Sequence, residues 1–319
     1  MRIVRVPAAA LSYVGRHGTL VVAASLFVGM FVPGMAAYCK PLLGPAIIAM
    51  LTLAFLRVDP AELRGHWDRP GLIAAASLWV MLATPAVLGT LFLLTGLNER
   101  IPGLYYMLVL QMSAPGLTSA PALAALIGLD VALTLATLIV CMALTPITAS
   151  LFTHFFLGAA LPAPLAFGFR LFLVIAGSAA AAAVIRRLAG REAIERQREA
   201  IDGLSVLAMF LFVIAAMDGV LDHARNDPLL VAGLTILTFA LTLGTIVVTA
   251  LVFAGAGRAR ALAIGLNAGN RNIGIMLTAV GFQVPEVAWL YFGLAQFPIY
   301  LLPHLLKPLA RRLAEPAQP

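Results

Sequence analysis

"GLNAGNRNIGIM", residues 265–276, places three asparagines and one arginine within six residues, and apolar residues dominate both flanks. A second interruption, "SAPGLTSAP" at residues 113–121, breaks another apolar run with Pro115, Gly116 and Pro121. Proline removes a backbone donor and clashes with the turn before it. Glycine weakens a helix and lets backbones approach closely. Polar and irregular backbone of this kind is tolerated inside an apolar protein only where it is buried or lines a cavity. These two stretches decide the fold.

The surroundings of the two stretches are lipid-like. The chain of 319 residues is 62% hydrophobic and 11% charged, with a mean hydropathy of +1.00. A soluble globule carries about 25% charged residues. The composition predicts an all-α polytopic membrane protein, because helices satisfy their own backbone in hydrocarbon. A barrel would show short alternating segments, and this chain shows long unbroken ones. The net charge of +7 therefore reports membrane orientation and is no nucleic-acid footprint. Cys39 and Cys141 sit at the end of and within apolar runs and read as small hydrophobes, not as a disulfide or metal pair. The basic start (Arg2, Arg5, Arg16) superficially looks like a cleaved leader, but the run from Gly18 to Ala36 is long enough to span and reads as a retained first helix.

Ten spans are expected: 18–36, 40–57, 71–95, 105–127, 129–155, 167–186, 202–220, 228–255, 258–281 and 285–305. Basic residues sort sharply between the two sides. One side holds those at the N-terminus, the pair of loops around Arg57 to Arg69 and Arg186 to Arg198, Arg258, Arg260 and the C-terminal cluster Lys307, Arg311 and Arg312. The other holds Lys40, Arg100, Arg170 and Arg225. The bias places both termini in the cytoplasm. Ten helices divide into five and five, residues 1–160 and 161–319, and an odd number per half inverts the second half, a common plan of secondary transporters. Pro146-Ile147 and Pro298-Ile299 follow Gly116 and Gly269 at nearly equal distances.

Arg271 is the sharpest residue. It lies 11 residues beyond Arg260, about 16 Å along a helix and near the middle of a ~30 Å hydrocarbon core. A charge there marks a functional site by default, since snorkelling from mid-membrane is hard. The nearest acids, Asp130 and Asp218, fall near helix ends. The guanidinium is therefore left to helix C-terminal carbonyls, asparagine oxygens or an anionic substrate, for which its planar fork is suited. If the helix persists, Asn267, Asn270 and Arg271 share one face. Gly265 and Gly269 form a G-x-x-x-G step suited to close helix crossing. Candidate substrate- or ion-binding residues are Asn267, Asn270, Arg271, Asn272, Thr118, Ser119, Gln111, Thr134 and Gln296, with Pro115, Gly116, Pro121 and Gly269 breaking the helices. Singly, a membrane serine or threonine more often bonds back to its own helix.

These residues resemble the bile acid:sodium symporter family. "APGLTSAPALAALIGLDVALTLATLIVCMALTP", residues 114–146, is similar to the family's "APGGT-x-SN" crossing segment and the "GDVALS" helix after it. "NAGNRNIGI" lines up with the family's "E-x-G-x-QN-x-GL" segment. The resemblance implies ten helices in an inverted repeat with broken helices 4 and 9 crossing. It implies a core domain of spans 3–5 and 8–10, a panel of spans 1–2 and 6–7, and a bacterial inner-membrane location. It also implies sodium-coupled transport of an organic anion, and the sodium positions depart from the family. The Ser-Asn pair falls at Ala120 and Pro121, the essential Glu at Asn267 and the Gln at Arg271, while Asn272 is kept. These replacements speak against Na⁺, and no cofactor is expected. The expectation is a built-in cation at Arg271 and sodium-independent carriage of a small organic anion, facilitated or proton-linked. The chain is expected to be monomeric in the bilayer, with a homo-oligomer as the alternative.

Other classes are weaker. A sodium symporter with rearranged ligands would draw on Thr118, Ser119, Thr134 and Asn270. An arsenite-type efflux carrier would want a cysteine near the first break, and Cys141 lies well along the next helix. No H-E-x-x-H or G-x-S-x-G and no paired intramembrane aspartates suggest an enzyme. A non-transporting sensor or binding protein would normally carry an appended domain, for which both tails are short.

Overall fold

The computed structural model describes residues 18–32, 34–58, 69–161 and 163–302. The remaining residues lie outside the description. With them go the basic residues of both termini and of the 59–68 loop, and the last residues of the tenth expected span.

Every regular element among the described residues is helical. The main ones, in chain order, are α1 (Gly18–Phe31), α2 (Met35–Arg57), α3 (Pro70–Leu94), α4 (Pro102–Ser113), α5 (Ala120–Ile127), α6 (Val131–Leu157) and α7 (Pro164–Ala189). Then follow α8 (Arg198–Asn226), α9 (Pro228–Val252), α10 (Arg258–Gly269), α11 (Ile273–Val280) and α12 (Glu286–Leu302). Six of these, α2, α3, α6, α7, α8 and α9, are long and apolar enough to cross a membrane. The chain is thus all-α and fits a membrane protein.

Several boundaries differ from the sequence expectation. The first helix ends at Phe31 and the second starts at Met35, because Gly34 takes φ +74° between them, a conformation open to glycine and strained for other residues. The expected spans 105–127 and 258–281 are not continuous. Each divides into two half-helices, so Asn267, Asn270 and Arg271 do not share one helical face as a continuous helix would have it. The physical reason in the first is Pro115 and Gly116. In the second, side chains take over carbonyls that the helix would otherwise use, as described below.

The chain divides into two compact units, with boundaries between residues 59 and 60, within α7 and within α9. In the unit made of residues 1–59 and 173–231, α8 packs against both α1 and α2. Gly29 makes this close, since a Cβ there would lie 2.7 Å from the Ile214 carbonyl oxygen. Arg186 donates to the carbonyls of Leu56 and Val58, both at 2.6 Å, and so caps the end of α2. Lys40 pairs with Asp218 at 2.9 Å and Arg57 with Asp202 at 2.8 Å, one pair at each end of the antiparallel α2 and α8.

The other unit holds residues 60–172 and 232–319 and contains both broken helices. Here α6 packs against α3, α4, α5 and α10, and α12 against α4. The core is built in layers. Val80, Met81, Cys141 and Ala268 form one cluster, and Ile73, Ala76, Leu133, Ala136 and Ile264 another. The Asp130 carboxylate accepts from the Leu133 amide at 2.9 Å and starts α6. α10 lies tightly on α9, because a Cβ at Gly265 or Gly269 would come within 2.7 Å of the Ile246 or Thr242 carbonyl oxygen.

Candidate functional site

The two breaks meet. The Leu117 amide donates to the Asn270 carbonyl at 2.9 Å, and the Asn272 amide donates to the Pro115 carbonyl at 2.8 Å. Gly116 and Arg271 form the centre of this two-bond antiparallel bridge. Backbone groups freed by each break are therefore satisfied by the other, which is the requirement for unwound chain inside an apolar protein.

The half-helices match on either side of the bridge. α4 and α10 each have 12 residues and run into it. α5 and α11 each have 8 and lead out. Both outgoing halves end in the same way. Gly128 and Gly281 take φ +78° and +80°. The following Leu129 and Phe282 amides reach back to Ala124 and Leu277 at 2.8 and 3.0 Å. This is a Schellman closure, and it needs the left-handed residue that glycine supplies.

Arg271 is 4% exposed and its guanidinium is held by backbone alone. Nε donates to the Ala268 carbonyl at 2.6 Å, Nη1 to Ala114 at 2.8 Å and Nη2 to Val80 at 3.0 Å. Each carbonyl is available for a different reason. Ala268 lies in the last turn of α10, where carbonyls have no helical donor. Ala114 is the C-cap of α4. Val80 lies in a π-turn of α3, Trp79–Ala83, where the Thr84 amide and hydroxyl both turn to the Trp79 carbonyl. The next residue, Pro85, has no N–H, so Val80 receives no donor from its own helix. Two helix C-termini, each with a partial negative charge, thus converge on one side-chain cation. Among the described residues no carboxylate lies within ion-pair distance of Arg271.

Asn267 is 1% exposed and bridges α10 to α6, its Nδ2 donating to the Thr134 carbonyl at 2.9 Å. Its Oδ1 faces Gly116 so closely that a Cβ there would lie 2.8 Å away. Asn270 donates back to Leu266 at 3.1 Å. The Oδ1 atoms of Asn267 and Asn270 are buried with no hydrogen-bond donor among the described residues. Asn272 is half-buried at the N-cap of α11 without a side-chain cap bond. Thr118 and Ser119 are half-buried in the first break, and Pro121 lies in the first turn of α5. The Thr134 hydroxyl bonds back to Asp130 at 2.7 Å, and the buried Gln296 amide donates to Phe292 at 3.0 Å. The crossing therefore assembles Pro115, Gly116, Asn267, Gly269, Asn270, Arg271 and Asn272, while Gln296 and the Thr134 hydroxyl serve their own helices.

Two features escape a sequence reading. Val80 contributes only a carbonyl, which any residue possesses, and its sole signal is the "TP" at Thr84-Pro85. Tyr291, fully buried, donates its hydroxyl to Gln111 Oε1 at 2.6 Å, a contact 180 residues apart in the chain. Gln111 and Arg271 line a small pocket with Thr245, Gly269 and apolar side chains including Phe92 and Met112. Its accessible space is about 20 Å³, room for roughly one water-sized body.

The side chains at the positions that the sequence resemblance assigns to sodium do not fit that ion well. Ala120 and Pro121 offer no side-chain oxygen, Arg271 brings a fixed positive charge, and the carboxylate position is the neutral Asn267. No group of three or more His, Cys, Asp or Glu that would hold a metal occurs among the described residues. No family model matches the chain, and no curated protein matches it.

Proposed function

We propose that the protein is a secondary transporter of a small organic anion, working by alternating access around the crossing of the two broken helices and without sodium at the family's usual positions. The observation that carries this reading is the Gly116–Arg271 bridge, with the guanidinium seated on the carbonyls of Ala114, Ala268 and Val80. Paired discontinuous helices in two halves of a membrane chain mark a transport site. The matched 12- and 8-residue halves support an inverted repeat of five and five spans. The Arg260–Asp130 pair at 3.5 Å supports the ten-span topology, since both residues fall on the same side in it.

In this reading Arg271 performs structurally what a bound cation does in the family the sequence resembles. It neutralises two converging helix ends and locks the crossing. The opposite ends at the crossing, the N-termini of α5 and α11, carry partial positive charge and favour an anion. One observation stands on the side of a sodium symporter with rearranged ligands: the buried Oδ1 atoms of Asn267 and Asn270 lack donors among the described residues. Uptake of labelled organic acids into proteoliposomes, with and without a Na⁺ gradient, separates the two. Equal uptake under both conditions is expected, and a strict Na⁺ requirement would sink the proposal.

A further inference from the structure

We infer that the pocket beside Arg271 is a seat for one small anion, a halide or the carboxylate head of an organic acid, held by Gln111, Thr245 and Arg271. The inference deepens the transport reading and rests on it only for the physiological role of the seat.

Three donors line this pocket. A guanidinium has five N–H groups, and Arg271 directs three of them at Ala268, Ala114 and Val80, so two remain. Gln111 would ordinarily be ambiguous, with an acceptor and a donor at its tip. Tyr291 resolves it. The buried phenol donates to Oε1 at 2.6 Å, which occupies the acceptor end and leaves the Nε2 donor for the pocket. The third group is the Thr245 hydroxyl on α9. Among the described residues no acidic residue lines the pocket, and its other walls include Leu88, Phe92, Leu108, Met112, Leu241, Ala268 and Gly269. Hydrogen-bond donors that line an apolar cavity, beside a guanidinium that no carboxylate pairs with among the described residues, favour an anion over water. The half-buried rim of Leu88, Gln111, Leu241 and Thr245 gives it a mouth.

Size narrows the ligand. The space of about 20 Å³ is near the size of one small ion and excludes the body of a sterol-sized acid. Chloride is somewhat larger than this space and would reach into the half-buried mouth. A carboxylate presents only its head, with its carbon chain leaving along the apolar rim. Tyr291 is a positioning residue here, since it touches the amide and not the ligand.

The test is equilibrium binding of ³⁶Cl⁻ to the purified full-length chain, with ionic strength set by sulfate. One saturable chloride per chain is expected. Gln111→Glu, which replaces the donor by an acceptor, should abolish it. Gln111→Leu and Thr245→Val, which each remove one hydrogen bond to a charged ligand, should weaken it about tenfold. Tyr291→Phe should weaken binding less, and Gln111→Asn should not restore it. Formate and acetate displacing chloride would identify a carboxylate head-group seat, and displacement by bromide alone would identify a halide seat. Both outcomes support the anion seat. No saturable chloride binding to folded wild type, or unchanged binding in both Gln111→Glu and Gln111→Leu, overturns it. A chain that binds chloride yet moves no organic acid fails the transport reading alone, and one that transports without binding chloride fails this inference alone.

Discussion

The two breaks accomplish the same opening by opposite means. Around Gly116 the helix is broken by subtraction: Pro115 and Pro121 lack N–H groups, Gly116 lacks a side chain, and six residues separate α4 from α5. Around Arg271 it is broken by addition: polar side chains compete for helix carbonyls, and only three residues separate α10 from α11. The first break is permissive and supplies space. The second is prescriptive and supplies the groups that fill it, most directly where Asn267 Oδ1 occupies the place a Cβ at Gly116 would need. Neither is stable alone, because each leaves amides and carbonyls that only its partner satisfies.

Removing the added part should do the most harm. Arg271→Ala leaves the Ala114, Val80 and Ala268 carbonyls without their donor, and a loss on the order of 3–5 kcal/mol is expected. Thermal unfolding in detergent should show it as a large drop in Tm, with Arg271→Lys intermediate because one ammonium cannot span all three carbonyls. Filling the space of the subtractive break comes next. Gly116→Ala places a methyl 2.8 Å from Asn267 Oδ1 and should cost about 1–3 kcal/mol. Pairing it with Asn267→Ala should recover part of that loss in a double-mutant cycle. An additive result would show that the two breaks are not complementary.

The outgoing halves offer a matched comparison. Gly128 and Gly281 have open space where a Cβ would go, so alanine meets only backbone strain. Each substitution should cost about 1 kcal/mol, and the two costs should agree. Unequal costs would break the equivalence of the halves. The smallest effect is expected at Pro85→Ala, because the Val80 carbonyl has a second lone pair and can accept the restored N–H beside Arg271. The Tm should hold or rise slightly in the same melting assay.

Much of this was legible because it rests on composition and on residues with singular backbone behaviour. Long apolar runs announced the helices, Pro115 and Gly116 announced the first break, and the crowding of Asn267, Asn270, Arg271 and Asn272 announced the second. What stayed illegible is carried by groups that every residue has. Sequence reading left carbonyls, asparagine oxygens and a substrate open as partners for Arg271, and the choice is made by where α4, α10 and the π-turn of α3 end. The hydroxyl of Thr134 and the amide of Gln296 drew attention as polar atoms in greasy helices, yet both turn to their own helix carbonyls. Polar side chains in such helices have that local option always at hand, and only packing decides whether it is used.

The cation at the crossing is attached to the chain. An ion that enters from one solution and leaves to the other carries free energy with it, and that exchange is how a gradient drives a solute uphill. A guanidinium on a side chain, anchored by Ala268, Ala114 and Val80, is never exchanged. In the proposed transport, the chain keeps the scaffold that a mobile ion would provide and gives up the work that ion would do. A solute carried beside Arg271 would then move down its own electrochemical gradient or be driven from a different place in the protein.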